Sequence, residues 1–241
     1  MKSNLGYKFL EFLEDKGKKK VPFKYKAYYA PDTFKKEDLY IKGDLELLRV
    51  KHPITLPDNL TVTGRAMLFG RTITELPEKF TVGESLILLE TDVEKIPSDL
   101  RVGNVLKLIS SPIKDFPDDL VLPKTVYISK LFMQTLKGDW SRVEHLHIED
   151  MYIQSLPKNL KNLRHLEVMG YKLKELPDNL NLEHLSIGFT ESHAFFEIPK
   201  NLNVINLSVI RSHWEEMYGG TWGIKKEIQA RGGNVVRVRK E

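Results

Sequence analysis

Histidine and glutamate residues recur in the second half of the chain at a spacing that suits metal binding or proton transfer. They are His145, His147, Glu149, His165, Glu167 and His184. Alternate residues of a β-strand project from the same face, so His145 and His147 would point the same way. On a neighbouring strand, His165 would lie about 5 Å from His145. Three imidazoles that converge in this way could hold a zinc ion.

This spacing is only weakly specific for a metal, because histidine is polar and fits the outward positions of a pleated strand. We therefore predict no metal site and no cofactor, and we interpret the histidines as a solvated row that makes partner binding sensitive to pH. The chain contains no G-x-S-x-G, phosphate-loop, G-x-G-x-x-G or H-E-x-x-H motif. We predict that it is not an enzyme, and catalysis by the histidine and glutamate cluster is the enzymatic alternative.

The composition excludes several other classes of protein. The 241 residues include no cysteine, which excludes disulfide scaffolds, cysteine zinc clusters and a cysteine nucleophile. Apolar runs such as 86–89 are far shorter than the roughly 20 residues that span a bilayer. Residues 1–20 lack an apolar stretch followed by small residues. We therefore expect no secretory signal, no membrane association and a cytoplasmic location.

Positive charge is concentrated at the two ends of the chain. Residues 1–26 carry a net charge of +5 and residues 211–241 one of +3, whereas the whole chain carries +4, which leaves the middle at −4. In the segment over 18–26, lysines alternate with Phe23 and Tyr25, as in a polyanion-binding arm, although a solvated linker is the simpler interpretation. The acidic middle disfavours a nucleic acid lying along it.

A 20-residue period runs through most of the chain. It is marked by Pro57, Pro77, Pro97, Pro117, Pro157, Pro177 and, after a longer spacer, Pro199. A large apolar residue precedes each of these prolines, and pairs of apolar residues separated by one position recur between them. The unit reads x-L-x-L-x-x-x-x-I-x-x-L-P-x-x-L-x-V-x-x. An internal repeat of this length is typical of solenoid proteins.

Each L-x-L pair predicts a short strand with one apolar face, because alternate side chains of a strand point to opposite sides. A single unit cannot bury that face, whereas stacked units with parallel strands about 4.8 Å apart form a continuous core. The Leu-Pro step suits the return side of each coil, since proline has no N–H to donate to a ladder. We predict an α/β solenoid of about 8–9 coils with a parallel sheet.

The repeat also resembles a known family. The segment over 163–177 has the spacing L-x-x-L-x-V, followed by L and then L-P, which is similar to the leucine-rich repeat. The likeness is strongest to the short Leu-Pro type of bacterial effectors and phage-encoded proteins, and it covers about residues 45–210. It implies a leucine-rich-repeat-like solenoid, in a phage or bacterial protein that engages or blocks another macromolecule.

One position departs from that family, which usually carries asparagine at the turn after the strand. The corresponding residues here are Arg71, Thr91, Ser111, Leu131, Met151, Tyr171 and Thr190. We therefore predict that no asparagine ladder forms at this turn and that the solenoid is flatter than the usual horseshoe.

We divide the chain into three parts. Residues 1–44 form a helical cap, with an amphipathic helix over 4–15, and a basic linker. Residues 45–210 form the solenoid. Residues 211–241 form an α/β cap, with a helix over 222–231, stopped by two glycines, and a strand over 235–239. We expect Trp214, Tyr218 and Trp222 to pack beneath this second cap.

Two repeats break the pattern. Residues 137–139 replace the proline-containing turn and Trp140 takes the leucine position, which we interpret as a turn variant. The spacer before Pro199 is longer than in the preceding repeat and contains Phe195 and Phe196. Only one of these phenylalanines can fill the inward position, so the other is a candidate contact point.

Residues between and beside the L-x-L pairs face away from the core, in rows across neighbouring strands. These rows are apolar in the first half of the chain, and a large exposed apolar patch usually marks a protein interface. The candidate partner-binding residues are Met67, Phe69, Ile87, Leu89, Val105, Lys107, Ile109, Tyr127, His147 and Glu167. Alternatively, the segment over 16–40 folds over the apolar residues.

We therefore predict a non-enzymatic protein-binding module that uses the outward face of its sheet. The alternative is a nucleic-acid-associated protein that binds through its basic terminal segments. The sequence leaves the oligomeric state open.

Overall fold

The structure, a computed structural model, describes residues 8, 21–48, 52–150, 152–170, 172–173, 175–188, 197–210 and 219–239. Three predicted features lie outside these residues: the helix over 4–15 apart from Lys8, the loop with Phe195 and Phe196, and the positions of Trp214 and Tyr218.

Short strands at 20-residue intervals dominate the described part of the chain. Its elements are α1 (Phe23–Tyr29), β1 (Tyr40–Ile41), β2 (Leu45–Leu48), β3 (Thr61–Val62), β4 (Ala66–Phe69), β5 (Thr81–Val82), β6 (Ser85–Leu89), β7 (Arg101–Val102), β8 (Val105–Ile109), β9 (Thr125–Ser129), β10 (His145–Asp150), β11 (His165–Gly170), β12 (Asn181–Gly188), β13 (Asn203–Ile210), α2 (Gly220–Ala230) and β14 (Asn234–Arg239). Two short 3-10 helices, Pro31–Thr33 and Lys36–Leu39, connect α1 to β1.

The L-x-L strands form one parallel sheet of ten strands, in the order β14-β13-β12-β11-β10-β9-β8-β6-β4-β2. Leu88 pairs with Leu108, and Leu108 pairs with Ile128 on the next strand. All three side chains are fully buried, in one core cluster that runs through the whole solenoid. The predicted stacking is therefore confirmed, and the chain makes a parallel-sheet solenoid of about eight turns.

A second, smaller sheet lies on the return side of the first coils. It consists of the two-residue strands β1, β3, β5 and β7, paired in parallel. Its inward residues Val62 and Val82 are buried at the valine position of the repeat. Next to these strands the coils lie very close together. A Cβ atom on Gly83 would collide with the carbonyl oxygen of Thr63, and one on Gly103 would collide with that of Gly83. Glycine at this corner therefore permits the close stacking of the coils.

Hydroxyl groups bond at two of the turn positions where leucine-rich repeats usually carry asparagine. Thr91 and Ser111 are buried, and their side-chain oxygens lie 2.8 Å apart in a hydrogen bond between neighbouring coils. Asparagine amides bond elsewhere, near β12 and β13, where Asn201 donates to Asn179 at 2.9 Å and Asn203 donates to Asn181 at 2.8 Å. The flatter curvature stays a prediction.

The irregular repeat keeps the core filled with a tryptophan. The Trp140 side chain is fully buried, and its ring lies 5.8 Å from that of Phe116 in an edge contact. Its indole N–H donates to the carbonyl oxygen of Lys137 at 2.8 Å. Gly138 adopts a φ of +98°, a backbone conformation that favours glycine, in the turn that replaces the proline-containing one.

The described ends of the chain pack onto the solenoid. At the front, Ala27 belongs to the core cluster and Phe23, Tyr28 and Phe34 pack against it. At the back, α2 buries Ile224 and Ile228, and β14 pairs in parallel with β13.

The prediction that Trp222 packs beneath the second cap is wrong, since its side chain is 57% exposed. Ile224 and Ile228, four residues apart on α2, occupy the buried stripe of the helix. The indole ring of Trp222 lies outside that stripe, with the Lys225 ammonium 5.6 Å from its centroid.

Candidate partner-binding face

The structure brings the ten candidate residues together on the outward face, the side of the ten-stranded sheet that points away from the core. Six of them form a central row across six neighbouring strands, in the order Met67, Ile87, Lys107, Tyr127, His147 and Glu167. Phe69, Leu89 and Ile109 form the row on one side of it, and Val105, at the start of β8, lies on the other side. Each of the ten side chains is half-buried, because cross-strand neighbours cover its flanks and leave its tip accessible.

The apolar patch consists of Met67, Phe69, Ile87, Leu89, Val105 and Ile109. The alternative cover for this patch is the segment over 16–40, of which the structure describes residues 21–40. Those residues pack against the core through Ala27 and lead into β1, an edge strand of the small sheet. The patch residues keep part of their surface exposed with that segment in place.

Four polar residues of the central row hold one another in a continuous chain. The Lys107 ammonium lies 4.3 Å from the centroid of the Tyr127 ring. That ring stacks on the His147 imidazole with 4.0 Å between centroids and an angle of 5° between planes. His147 in turn bonds through Nδ1 to Glu167 Oε2 at 2.9 Å. These contacts restrict the rotamers of the four side chains, and a group held in this way loses less conformational entropy when it enters a further contact.

The Tyr127 hydroxyl remains a donor at neutral pH. Burial raises the pKa of Tyr127, and the nearby carboxylates of Glu149 and Glu167 raise it further. The phenol therefore stays protonated and can donate a hydrogen bond to a partner.

The histidine row consists of His145, His165 and His184 on three neighbouring strands. Its rings stack with centroids 4.4 Å and 4.6 Å apart and with angles of 25° and 22° between planes. Stacked rings present their faces to one another, so their nitrogen atoms do not converge on one point. Within the described ranges, no group of three or more histidine, aspartate or glutamate side chains is placed to hold a metal ion.

Burial lowers the pKa of His165, and the charges of its neighbours His145 and His184 lower it further. Glu183, whose carboxylate lies 3.4 Å from His165 Nε2, opposes this shift without reversing it. The central ring of the histidine row therefore favours its neutral form. Adding a proton to it is easier in the unfolded chain than in the folded one.

This difference predicts that acidification destabilises the protein through His165. Because the pKa of His165 is lower in the folded protein, the unfolded chain binds more protons as the pH falls. The stabilisation from the neutral His165 side chain is therefore complete above pH 6.5, the usual histidine value, and is lost as the pH falls below it. The free energy of unfolding, measured by urea denaturation at each pH, should fall between pH 7.5 and pH 5 in the wild type. We expect it to fall less in His165→Gln. His52→Gln, which removes an exposed histidine, is the control and should follow the wild type. Parallel profiles for all three proteins would contradict the prediction.

The histidine row forms one wall of a cavity of 390 Å³ on the outward face, which we call the histidine cavity. Its lining also includes His147 and Glu167 of the central row, together with Ser186, Asn206, Ser208 and Arg239. These last four are not among the candidate residues, because their residue types do not distinguish them from other solvated strand positions. The signal that could have found Arg239 is its register, because β14 continues the central row by pairing Arg239 with Ser208.

Comparisons with protein-family models, with curated proteins and with solved structures find no match to this chain. In the described part of the chain, no helix has both the length and the apolar character needed to cross a bilayer.

Proposed function

We propose that this chain is a non-enzymatic protein-binding module that engages or blocks another macromolecule through its outward face. The observation that carries the proposal is the apolar patch, six aliphatic, aromatic and methionine side chains that lie near one another on the outward face of the sheet, each of them partly exposed. Side chains of these types bind partners by removing apolar surface from water, and a contiguous group of them on a solenoid face is typical of an interface.

The polar residues beside the patch match the rim of such an interface. Lys107 and Tyr127 border the apolar residues and are held in place by the contacts of the central row. Tyrosine supplies a large contact area and a hydrogen-bond donor with few rotatable bonds, and it is enriched among the residues that dominate binding energy. The histidine row lies farther along the same face and adds a contact whose charge changes with pH.

The proposal extends to family and setting. The Leu-Pro repeat and the parallel-sheet solenoid support a protein of the leucine-rich-repeat type. The resemblance to the short repeats of bacterial effectors and phage-encoded proteins supports a phage or bacterial origin. The cysteine-free composition is compatible with a reducing cytoplasm, which is the proposed location.

The test is capture of the partner with and without charge in the apolar patch. We expect Phe69→Glu combined with Leu89→Glu to weaken binding of the captured protein by about 30-fold or more, because desolvating carboxylates against an apolar surface costs at least about 2 kcal/mol. The partner is recovered from a lysate of the native host with the immobilised wild-type chain, and its binding is then measured with purified proteins by calorimetry.

The control adds two negative charges elsewhere. Gln134→Glu combined with Gln154→Glu places them on exposed residues ahead of the Leu-Pro position, and this variant should bind like the wild type. If the variant with Phe69→Glu and Leu89→Glu binds the partner as tightly as the wild type does, the apolar patch is not the binding site.

Two basic residues of the terminal segments are already paired, which weakens the nucleic-acid alternative. Lys26 bonds to Asp38 at 2.6 Å, and Arg231 bonds to Glu227 at 2.8 Å and to Glu197 at 3.0 Å. A salt titration of DNA and RNA binding distinguishes the two functions, since a protein that displaces counterions from phosphates shows a steep loss of affinity with salt. A steep loss would favour the nucleic-acid function.

A further inference from the structure

The histidine cavity is rich in hydrogen-bond donors and in groups that can carry positive charge. Arg239 lies in its lining, and Arg237 stands two residues earlier on the same edge strand, in register with Asn206. Neither arginine forms an ion pair with any described residue. The one carboxylate in the lining, that of Glu167, is bonded to His147 at 2.9 Å. The cavity therefore has one guanidinium in its lining, that of Arg239, whose charge is not neutralised within the described part of the chain, and Arg237 lies nearby on the same strand.

Most of the acidic groups near the histidine row already form ion pairs or hydrogen bonds with other residues of the chain. The acids near it on β10, β11 and β12, or directly before β10, are Glu144, Glu149, Glu167 and Glu183. The other titratable or basic groups around it are Lys124, Tyr127, His147, Arg164, Arg237 and Arg239. Glu144 bonds to Lys124 at 2.9 Å, and Glu149 accepts from Ser129 at 2.9 Å. Glu183 is shared between Arg164 at 3.3 Å and His165 at 3.4 Å.

The cavity has the length of a short extended peptide. It spans the five strands from β10 to β14, which at the usual strand spacing places its ends about 19 Å apart. An extended polypeptide covers that distance with about six residues. Because the apolar patch continues into the cavity through the Tyr127 and His147 stack, one partner can contact both.

We propose that the histidine cavity binds an acidic segment of the protein partner, with carboxylates on Arg239 and over the histidine row, and that this binding strengthens as the pH falls below neutral. The proposal rests on the proposed function and specifies the chemistry of the partner. A carboxylate suits a guanidinium, which binds it through two parallel hydrogen bonds. It also suits the histidine row, since rings 4.4 Å and 4.6 Å apart repel one another when more than one is protonated, and a carboxylate above them offsets that repulsion.

The direct test uses a hexa-aspartate peptide labelled with tetramethylrhodamine, a dye whose fluorescence does not change between pH 5.5 and 7.5. Aspartate stays ionised over this range, so only the protein changes its charge. We expect fluorescence anisotropy with the full chain to give a dissociation constant at least about tenfold lower at pH 5.5 than at pH 7.5. A hexaglutamine peptide with the same label should bind at neither pH.

Two variants locate the binding, and both should fold because their positions are exposed. Arg239→Glu reverses a charge in the cavity and should weaken hexa-aspartate binding by at least about tenfold at pH 5.5. Lys226→Glu makes the same charge change on α2, outside the cavity lining, and should bind like the wild type. Circular dichroism checks that each variant keeps the wild-type fold.

Three results would overturn the proposal: no peptide binding at millimolar concentration, equal binding by wild type and Arg239→Glu, or equal affinity at the two pH values. Tighter binding of a hexathymidylate oligonucleotide, abolished by Arg239→Glu, would also overturn it by assigning the cavity to nucleic acid. Phe69→Glu combined with Leu89→Glu should leave hexa-aspartate binding unchanged, so failure of this proposal is distinguishable from failure of the proposed function.

Discussion

Replacement of Trp140 by alanine is expected to lower the free energy of unfolding by about 3–5 kcal/mol. Trp140 is fully buried, where the other repeats carry a leucine or a phenylalanine, and Phe116 packs against its ring. Alanine would leave a cavity that the neighbouring coils cannot close, because each coil is held in register by strand pairing on both sides. Urea denaturation followed by far-ultraviolet circular dichroism measures the change.

Two further tryptophan variants show whether the buried ring is the cause. Trp222→Ala removes a side chain that is 57% exposed and should change the free energy of unfolding by less than about 0.5 kcal/mol. Trp140→Phe keeps an aromatic ring but loses the hydrogen bond to Lys137, and its cost should lie between the other two. Equal costs for the alanine variants at 140 and 222 would contradict the assignment of Trp140 to the core.

Trp140 also matters for the outward face, because it stands in the coil that joins β9 to β10. Those two strands carry the stacked rings of Tyr127 and His147, which link the apolar patch to the histidine cavity. In a solenoid each coil contacts only its neighbours, so a defect in one coil weakens one interface most. We therefore expect amide hydrogen exchange in Trp140→Ala to rise more in β9 and β10 than in β4 and β6.

The core of this fold could be predicted from the sequence because the apolar positions of the repeat are the residues that are buried. A strand inverts its side chains at every residue, so an L-x-L pair at each 20-residue step admits only one register in which all the leucines are buried. The observed pairing of Leu88 with Leu108 and Ile128 is that register. Positions on the outward face follow from the same alternation, which is why the ten candidate residues lie together.

Contacts between coils could not be predicted in the same way. The hydrogen bond between Thr91 and Ser111 joins two hydroxyls 20 residues apart, and either residue alone is compatible with a solvated turn. The small sheet depends on how closely Gly83 and Gly103 bring the coils together, a distance that the repeat does not encode. The exposure of Trp222 could not be predicted either, because an aromatic residue in a short amphipathic helix does not indicate which helical face meets the sheet.

The candidate site was predictable in its positions and not in its interactions. The sequence places His145, His165 and His184 on neighbouring strands, but the stacking of their rings depends on rotamers set by neighbours such as Glu183. Arg239 was assigned only to the second cap, because the register of β14 depends on how α2 returns the chain to the sheet. The repeat pattern therefore could not predict the side of the histidine cavity that β14 forms.

Substitution of Asp38 by alanine is the second change with a large expected effect on stability. Asp38 forms an ion pair with Lys26 at 2.6 Å, with side-chain exposures of 3% and 9%, and it accepts the backbone N–H of Lys35 at 2.8 Å. Removing the carboxylate would leave the Lys26 ammonium buried beside the carbonyl oxygen of Thr33, a neutral acceptor 3.4 Å away. Breaking a buried pair in this way costs about 3–5 kcal/mol, which urea denaturation should detect.

The paired substitution separates the charge effect from the packing effect. Lys26→Met combined with Asp38→Leu removes both charges and keeps the volume, so it should cost far less than Asp38→Ala alone. Asp92→Ala is the matched control, because it breaks an exposed pair in which Asp92 and Arg71 are 3.0 Å apart, and it should change stability by less than about 1 kcal/mol. If Asp38→Ala costs no more than Asp92→Ala, the buried pair does not hold the amino-terminal segment on the solenoid. If the double variant is as unstable as Asp38→Ala, shape and not an unpaired charge explains the loss.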